Sequence, residues 1–171
     1  MKVINIHKRI IQQPKKKISK IFNSLSTNND QLWPKENWPP MIFKKGLIEG
    51  ATGGHKPIKY VISKYIPGNL IEFKFLKPEG FAGIHKFEIT EIEEDKTELK
   101  HTIDMTISGK GIFTWCFAIK WLHDALLEDC LDKAENHFLT EKKKTKWNFW
   151  VLLLRRMFRK RNKAHNNSLH K

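Results

Sequence analysis

The distribution of glycine and proline divides this chain into two parts. All nine glycines and all seven prolines lie at or before Gly111, and neither residue occurs from residue 112 to the end. Both residues form turns and interrupt helices and strands. We therefore expect several short elements in the first part, whereas the second part can form long helices.

Residues 3–108 contain β-branched and aromatic segments separated by short turn sequences, which indicates consecutive strands. The connections at residues 67–69 and 93–96 are short enough to form antiparallel hairpins. Alternating apolar residues give the sheet one buried face. The predicted strands are residues 3–11, 47–51, Ile58–Ile66, 70–76, 84–92 and 97–108, and the predicted inward side chains are Ile71, Phe73, Phe75, Phe87, Ile89, Leu99, Ile103 and Met105.

Residues 112–139 have apolar side chains at helical spacing, which predicts one helix of about 42 Å. Its predicted apolar face begins with Phe113 and Phe117. Cys116 and Cys130 are about 21 Å apart along this helix, beyond the reach of a disulfide, so both are predicted to be reduced thiols in the core. The helix is the one predicted element large enough to cover the buried face of the sheet.

Two short elements are expected between the first two strands. Pro14 can begin a helix whose apolar face includes Ile18 and Phe22, and a second helix or turn is expected to end at Trp33. The predicted fold class is α+β. It is a helix-grip arrangement, in which a curved antiparallel sheet of six to seven strands wraps around a long C-terminal helix, with short helices after the first strand.

Several short motifs support this arrangement and cover most of residues 3–139. They are Ile11-Gln12-Gln13-Pro14, Leu32-Trp33-Pro34, Trp38-Pro39-Pro40, Gly53-Gly54-His55-Lys56-Pro57-Ile58-Lys59-Tyr60, Tyr65-Ile66-Pro67-Gly68 and Leu122-His123-Asp124-Ala125-Leu126-Leu127-Glu128-Asp129. In these motifs the chain resembles a bacterial branch of the START-related, Bet v 1-like proteins, the SRPBCC superfamily of polyketide cyclases and lipid-transfer domains. The resemblance implies an internal cavity. Because such cavities serve carriers, cyclases, hydratases and sensors, it implies no particular function.

The predicted ligand site lies between the sheet and the long helix. Two histidines fall on inward strand positions, and a third lies on the helix. Each could contact a ligand or act as a general base, or could be a core residue bonded to a neighbouring group. The predicted ligand-binding residues are Tyr60, Phe73, His85, Phe87, His101, Trp115, Leu122 and His123.

The leading functional hypothesis is a carrier or sensor of a hydrophobic small molecule, such as a lipid, an isoprenoid or a polyketide-like compound. The alternative is a cyclase- or hydratase-type enzyme that uses His85, His101 or His123 as its general base. The sequence contains no residue at a diagnostic spacing from these histidines that would adjust the pKa of one of them. We therefore predict a non-enzymatic role and assign no catalytic residue.

No metal and no cofactor are predicted. The inward histidines have neither the i, i+4 nor the H-x-H spacing of a familiar zinc motif. Asp124 and Glu128 lie four residues apart and could form paired carboxylates for acid–base chemistry. The interpretation we favour is a solvated acidic stripe, shared with Asp129 and Asp132, that faces Lys120 and Lys133 along the helix.

The basic character of the chain belongs to its C-terminal end. The formal net charge is +14, and residues 141–171 contribute eleven Lys or Arg and one Glu. We therefore divide the chain into a START-like domain, residues 1–139, and a basic, aromatic-rich tail, residues 140–171, that is helical in residues 145–161. The N-terminus lacks the apolar core of a secretory signal, which favours a cytoplasmic protein.

An amphipathic, cationic tail is typical of a helix that lies on an anionic membrane. The predicted membrane contacts are Trp147, Trp150, Leu154, Arg155 and Arg156, and Trp150 and Leu154 are expected to lie outside the folded core. Docking on the domain or on a second copy is the alternative. Without a groove-binding motif, nucleic-acid contact would be non-specific, and a monomer is favoured. A cytoplasmic protein whose tail binds the membrane in this way is expected at the inner face of the membrane.

Overall fold

Six strands and four α-helices form the described part of the chain, residues 1–168, in a computed structural model whose side chains are described for residues 1–158. Residues 169–171, the end of the predicted tail, lie outside the described residues. The elements are β1 (Lys2–Ile11), α1 (Lys15–Asn23), β2 (Thr52–His55), β3 (Ile58–Ile66), β4 (Leu70–Lys77), β5 (Phe81–Glu93), β6 (Lys96–Ile107), α2 (Gly111–Thr114), α3 (Lys120–Asn136) and α4 (Phe149–Ser168), with a π-helical segment, Trp115–Ile119, between α2 and α3.

The strands form one antiparallel sheet in the order β1-β6-β5-β4-β3-β2, so the predicted α+β helix-grip fold is confirmed. The predicted strand at residues 47–51 is wrong. Gly46 and Gly50 have φ of 77° and 82° there, a left-handed backbone that forms turns and is incompatible with a strand. Strand β2 begins one residue later, at Thr52, although Gly50 N–H already donates to the Ile62 carbonyl oxygen and Ile62 N–H donates to that of Ala51.

The concave face of the sheet and the helices enclose the core. All eight side chains predicted to point inward are buried, except that Phe75 is partly buried. Helix α1 follows Pro14 as predicted and buries Ile18, Ile21 and Phe22. Of the two alternatives expected before Trp33, a short helix or a turn, the structure has the second: turns and bends lead to a buried Trp33.

The long helix is not a regular α-helix. The π-helical segment inserts one extra residue, which rotates the preceding turn relative to α3. As a result Phe113 and Phe117, both predicted to face inward, are 70% and 63% exposed. Cys130 is a buried free thiol as predicted, but Cys116 is exposed, so its predicted place in the core is wrong.

Two indole groups satisfy carbonyl oxygens of the π-helical segment. Trp121 Nε1 donates to the Cys116 carbonyl oxygen at 3.0 Å, and Trp150 Nε1 donates to that of Phe117 at 2.9 Å. The second bond joins α4 to the long helix. Among residues 1–168, no helix is both long enough and apolar enough to cross a membrane.

Candidate functional site

An aromatic and histidine cluster occupies the inner face of the sheet. We define this interior cluster as Tyr60, Phe73, His85, Phe87 and His101, all buried. The His85 ring centroid lies 4.3 Å from that of Tyr60 and 4.7 Å from that of Phe73, and the His101 centroid lies 4.5 Å from that of Phe87. The predicted strand alternation therefore brings these five predicted site residues together.

His85 and His101 form a buried pair. His85 Nδ1 and His101 Nε2 are 3.2 Å apart, whereas His85 Nε2 and His101 Nδ1 have no hydrogen-bond partner among the described residues. If one imidazole donates its N–H within the pair, its own second nitrogen is an acceptor and the partner's second nitrogen is a donor. The pair thus offers one donor and one acceptor in either tautomeric arrangement.

Burial keeps both imidazoles neutral. Loss of hydration lowers the pKa of His85 and of His101 well below the usual value, and repulsion from His123 lowers both further. Burial also raises the pKa of Tyr60 well above 10. At pH 7 the interior cluster is therefore uncharged and polar only at its ring nitrogens and its phenol. The Tyr60 hydroxyl is bonded to His55 Nε2 at 2.6 Å, a contact that sequence reasoning missed.

The other three predicted site residues lie along the long helix. Trp115 is buried in a second apolar cluster with Phe81 and Met105. Leu122 and His123 are half-buried, and the His123 ring centroid lies 5.1 Å from that of His101 and 6.2 Å from that of Trp115. His123 therefore extends the buried histidine pair toward the edge of the sheet.

Polar side chains of β1 pair with acidic side chains of α3, an arrangement we call the β1–α3 ladder. Its members are Asn5, His7 and Arg9 on the strand and Asp124, Glu128, Asp132 and Glu135 on the helix. Two strand residues advance about 6.7 Å and four helical residues about 6 Å, so the two sets stay in step.

The ladder is closely bonded. His7 Nδ1 lies 2.8 Å from Glu128 Oε1, and Arg9 Nη1 donates to Asp132 Oδ1 at 3.0 Å and to Glu135 Oε2 at 2.6 Å. Asp132 and Glu135 are buried. The favoured interpretation of Asp124, Glu128 and Asp132 as part of a solvated stripe facing Lys120 and Lys133 is therefore wrong, because side chains of β1 bond to all three carboxylates. The missed signal was the polar residue at every second position of β1.

No model of a known protein family and no curated protein matches the sequence. Solved structures, in contrast, match most of it. Norcoclaurine synthase from Thalictrum flavum, in complex with dopamine and hydroxybenzaldehyde, has a TM-score of 0.60 at 10% identity, covering 82% of this chain and 90% of its own. A protein from Thermobifida fusca has a TM-score of 0.60 at 8% identity, covering 84% and 99%. Aha1 from Colwellia psychrerythraea, solved as a dimer, has a TM-score of 0.54 at 18% identity, covering 78% and 96%.

The chain has the Bet v 1-like fold. The fold that the motifs indicated is thus supported by the course of the backbone over 82% of the chain. At these identities the comparison establishes the fold of the domain and leaves its chemistry to be argued from its own residues.

The tail packs on the Bet v 1-like domain through one face of α4 and the segment before it. Trp147 Nε1 and Trp38 Nε1 donate to the two oxygens of Asp129 at 3.1 and 2.7 Å. The Arg155 guanidinium lies 4.3 Å from the Trp38 ring centroid and 4.1 Å from that of Trp147. Leu154 is buried, so the expectation that it lies outside the core is wrong.

The opposite face of α4 points away from the domain. We call it the exposed tail face and define it by Phe149, Leu152, Arg156 and Met157, all exposed at positions i, i+3, i+7 and i+8. The predicted membrane contacts are thus divided. Trp147, Leu154 and Arg155 lie against the domain, Trp150 bonds to the long helix and is partly exposed, and Arg156 faces outward.

One surface groove lies at the other end of the long helix. It has a volume of about 230 Å³ and lies between α1 and the end of α3. It contains none of the predicted ligand-binding residues. Its lining residues are Lys17, Lys20, Ile21, Gln31, His137 and Phe138.

Proposed function

We propose that this Bet v 1-like domain binds a small hydrophobic molecule that carries one hydrogen-bonding group, in the interior between the sheet and the long helix. The observation that carries the proposal is the His85–His101 pair, whose two outer ring nitrogens are buried among aromatic rings and have no hydrogen-bond partner in the part of the chain that the structure describes. A buried polar atom that lacks a hydrogen bond costs about 1–3 kcal/mol, which a ligand hydroxyl or carbonyl would recover.

The ligand chemistry follows from the surroundings of the pair. The buried side chains of Tyr60, Phe73 and Phe87 offer ring faces and edges to the apolar part of an aromatic or isoprenoid ligand. The neutral imidazoles offer its polar group one hydrogen-bond donor and one acceptor. The norcoclaurine synthase complex contains two small aromatic compounds, which supports a ligand of this size and kind in the same fold.

We predict that native mass spectrometry of the purified protein detects a co-purifying hydrophobic ligand, and that the ligand-stripped protein binds 1-naphthol more tightly than naphthalene. His85→Phe keeps the ring but removes the polar nitrogens, so naphthol affinity should fall about tenfold while naphthalene affinity changes little. Fluorescence titration measures both. His137→Gln, at an exposed histidine, is the matched control. Equal affinity of wild type and His85→Phe for naphthol would contradict the proposal.

A cyclase- or hydratase-type reaction is the second candidate. It is favoured by the neutrality of His85 and His101, because an uncharged imidazole can accept a proton at pH 7. The two candidates differ in the fate of the ligand. A carrier returns the extracted ligand unchanged after incubation with fresh protein, whereas an enzyme converts it and loses that conversion in His85→Phe.

The exposed tail face supports contact with an anionic membrane surface. Phe149, Leu152 and Met157 offer apolar side chains, and Phe117, whose carbonyl oxygen accepts the Trp150 bond that joins α4 to the long helix, is exposed as well. Arg156 lies on the same face. A Lys or Arg near an anionic surface contributes about 1 kcal/mol of binding free energy, and shallow apolar burial adds to it.

We predict that full-length protein sediments with liposomes containing anionic lipid, and that Phe149→Asp and Leu152→Asp each reduce the bound fraction several-fold. Raising the salt concentration should also reduce binding by screening the charges. Ile92→Asp removes an exposed apolar residue at the far end of the sheet, so it should bind like wild type. Unchanged sedimentation of Leu152→Asp would refute this role of the exposed tail face.

A further inference from the structure

Three side chains with metal-ligating atoms converge where β1 meets the beginning of α3. They are His7, His123 and Asp124, whose nearest ligand atoms all lie within 4.8 Å of one another. His7 Nε2 is 3.1 Å and His123 Nδ1 is 3.7 Å from the same oxygen, Asp124 Oδ1. His7 and His123 are far apart in sequence, so no spacing rule could join them.

These separations match those around a small divalent ion. In a tetrahedral zinc site the bonds to nitrogen and oxygen are about 2.0–2.2 Å, which places neighbouring ligand atoms about 3.4 Å apart. The observed distances of 3.1 and 3.7 Å lie on either side of that value. At these two contacts an ion would therefore require side-chain shifts of only a few tenths of an ångström.

One ligand atom has no other bonding partner. His123 Nδ1 is buried and makes no hydrogen bond to any described residue, since its 3.7 Å separation from Asp124 is too long for one. A buried nitrogen of this kind costs free energy unless a hydrogen-bond partner or a metal satisfies it. It lies 3.7 Å from Asp124 Oδ1, the same atom that His7 Nε2 approaches at 3.1 Å.

Neighbouring residues already hold the ligands as they are held around metals in proteins. Glu128 Oε1 lies 2.8 Å from His7 Nδ1. In metal sites a carboxylate–histidine contact of this kind fixes the orientation of the ligating imidazole. Asn5 Nδ2 donates to Asp124 Oδ1 at 2.9 Å, and Arg9 Nη2 donates to Glu128 Oε2 at 3.1 Å. Asn5, Glu128 and Arg9 of the β1–α3 ladder thus fix the positions of two of the three ligands, Asp124 and His7.

We infer that His7 Nε2, His123 Nδ1 and Asp124 Oδ1 bind one divalent zinc-class ion and leave a fourth coordination position open. Two imidazoles and one carboxylate suit Zn²⁺ and its transition-metal neighbours, whereas Ca²⁺ and Mg²⁺ prefer oxygen ligands. The Asp124 side chain is 32% exposed, so the ion reaches the site from solvent. The inference does not depend on a ligand in the interior cluster.

The test uses full-length, untagged protein treated with a chelator and dialysed. Titration calorimetry with ZnCl₂ should give one tight site per chain, and Co²⁺ should give the visible absorption of a low-symmetry, four-coordinate site. His123→Gln and Asp124→Asn should each weaken Zn²⁺ binding at least tenfold and abolish that absorption. His137→Gln, at an exposed histidine remote from the site, should change neither.

A failure to fold is distinguished from a loss of ligands by circular dichroism and thermal unfolding of the metal-free proteins, in which Asp124→Asn should keep the wild-type spectrum and a cooperative transition. His7→Gln provides a third ligand variant. The inference is overturned if wild type binds no stoichiometric Zn²⁺, if well-folded His123→Gln and Asp124→Asn bind it as tightly as wild type, or if binding follows His137 instead.

Discussion

Replacing Arg9 with methionine is expected to lower the free energy of unfolding by about 3 kcal/mol. The guanidinium bonds to Glu128, Asp132 and Glu135, and the last two carboxylates are buried. Methionine fills a similar volume but carries no charge, so the buried Asp132 loses its ion pair and the buried Glu135 retains only the one with Lys143 among the described residues. Urea unfolding followed by circular dichroism at pH 7 measures the difference.

The same strand offers a matched control. Lys2 pairs with Asp104, but the two side chains are 59% and 48% exposed. Exposed ion pairs contribute about 0–1 kcal/mol because water screens them. Lys2→Met should therefore change the unfolding free energy by less than about 1 kcal/mol. If Arg9→Met and Lys2→Met had equal effects, the β1–α3 ladder would not stabilise the contact between strand and helix.

Replacing Val151 with aspartate is expected to destabilise the whole domain by about 3–4 kcal/mol. Val151 is 2% exposed and belongs to the main core, against which Trp147 also packs. The change places an unpaired carboxylate in that core. It should lower the unfolding transition of the entire domain, and truncation after Thr140 should do the same, because the tail also covers Asp129 and Asp132.

The neighbouring residue provides the comparison. Leu152 is 52% exposed on the opposite face of α4, so Leu152→Asp should alter the unfolding free energy by less than about 0.5 kcal/mol. Thermal unfolding of the two variants separates a docked tail from a detached one. Equal stability of Val151→Asp and Leu152→Asp would show that α4 does not pack on the domain in solution.

The sheet and the interior cluster could be predicted because strand alternation is local. Once the period of two is recognised, Phe73, His85 and His101 must share one face, whatever the rest of the chain does. The antiparallel pairing followed from short hairpin connections. The helix-grip fold was then the one way to cover the resulting apolar face with the remaining long helix.

The β1–α3 ladder could not be predicted in the same way because it joins distant parts of the chain. In β1 the isoleucines Ile4, Ile6 and Ile10 alternate with Asn5, His7 and Arg9, and amphipathicity alone places the isoleucines inward. The structure places them outward, since all three are exposed. The acidic positions of α3 decide the orientation, and their partners become visible only when strand and helix are aligned.

The tail and the long helix failed for different physical reasons. A cationic, aromatic helix has the same composition whether it meets lipid or protein, so the sequence of α4 could not tell which residues meet the domain. Phe113 and Phe117 were misplaced because the π-helical segment changes the phase of the helix between α2 and α3. The spacing of apolar residues in the sequence does not reveal this change of phase.

Because α4 is apolar on two sides, its attachment to the domain also governs how the chain behaves at high concentration. With one face docked, the apolar residues of its described part that other molecules can meet are Phe149, Trp150, Leu152, Met157 and Phe158. Detachment would add Trp147, Val151 and Leu154 and would uncover their contact surface on the domain at the same time. Two such molecules could exchange their tails, each α4 filling the place vacated by the other, and a hinge at residues 140–146 would connect the swapped halves.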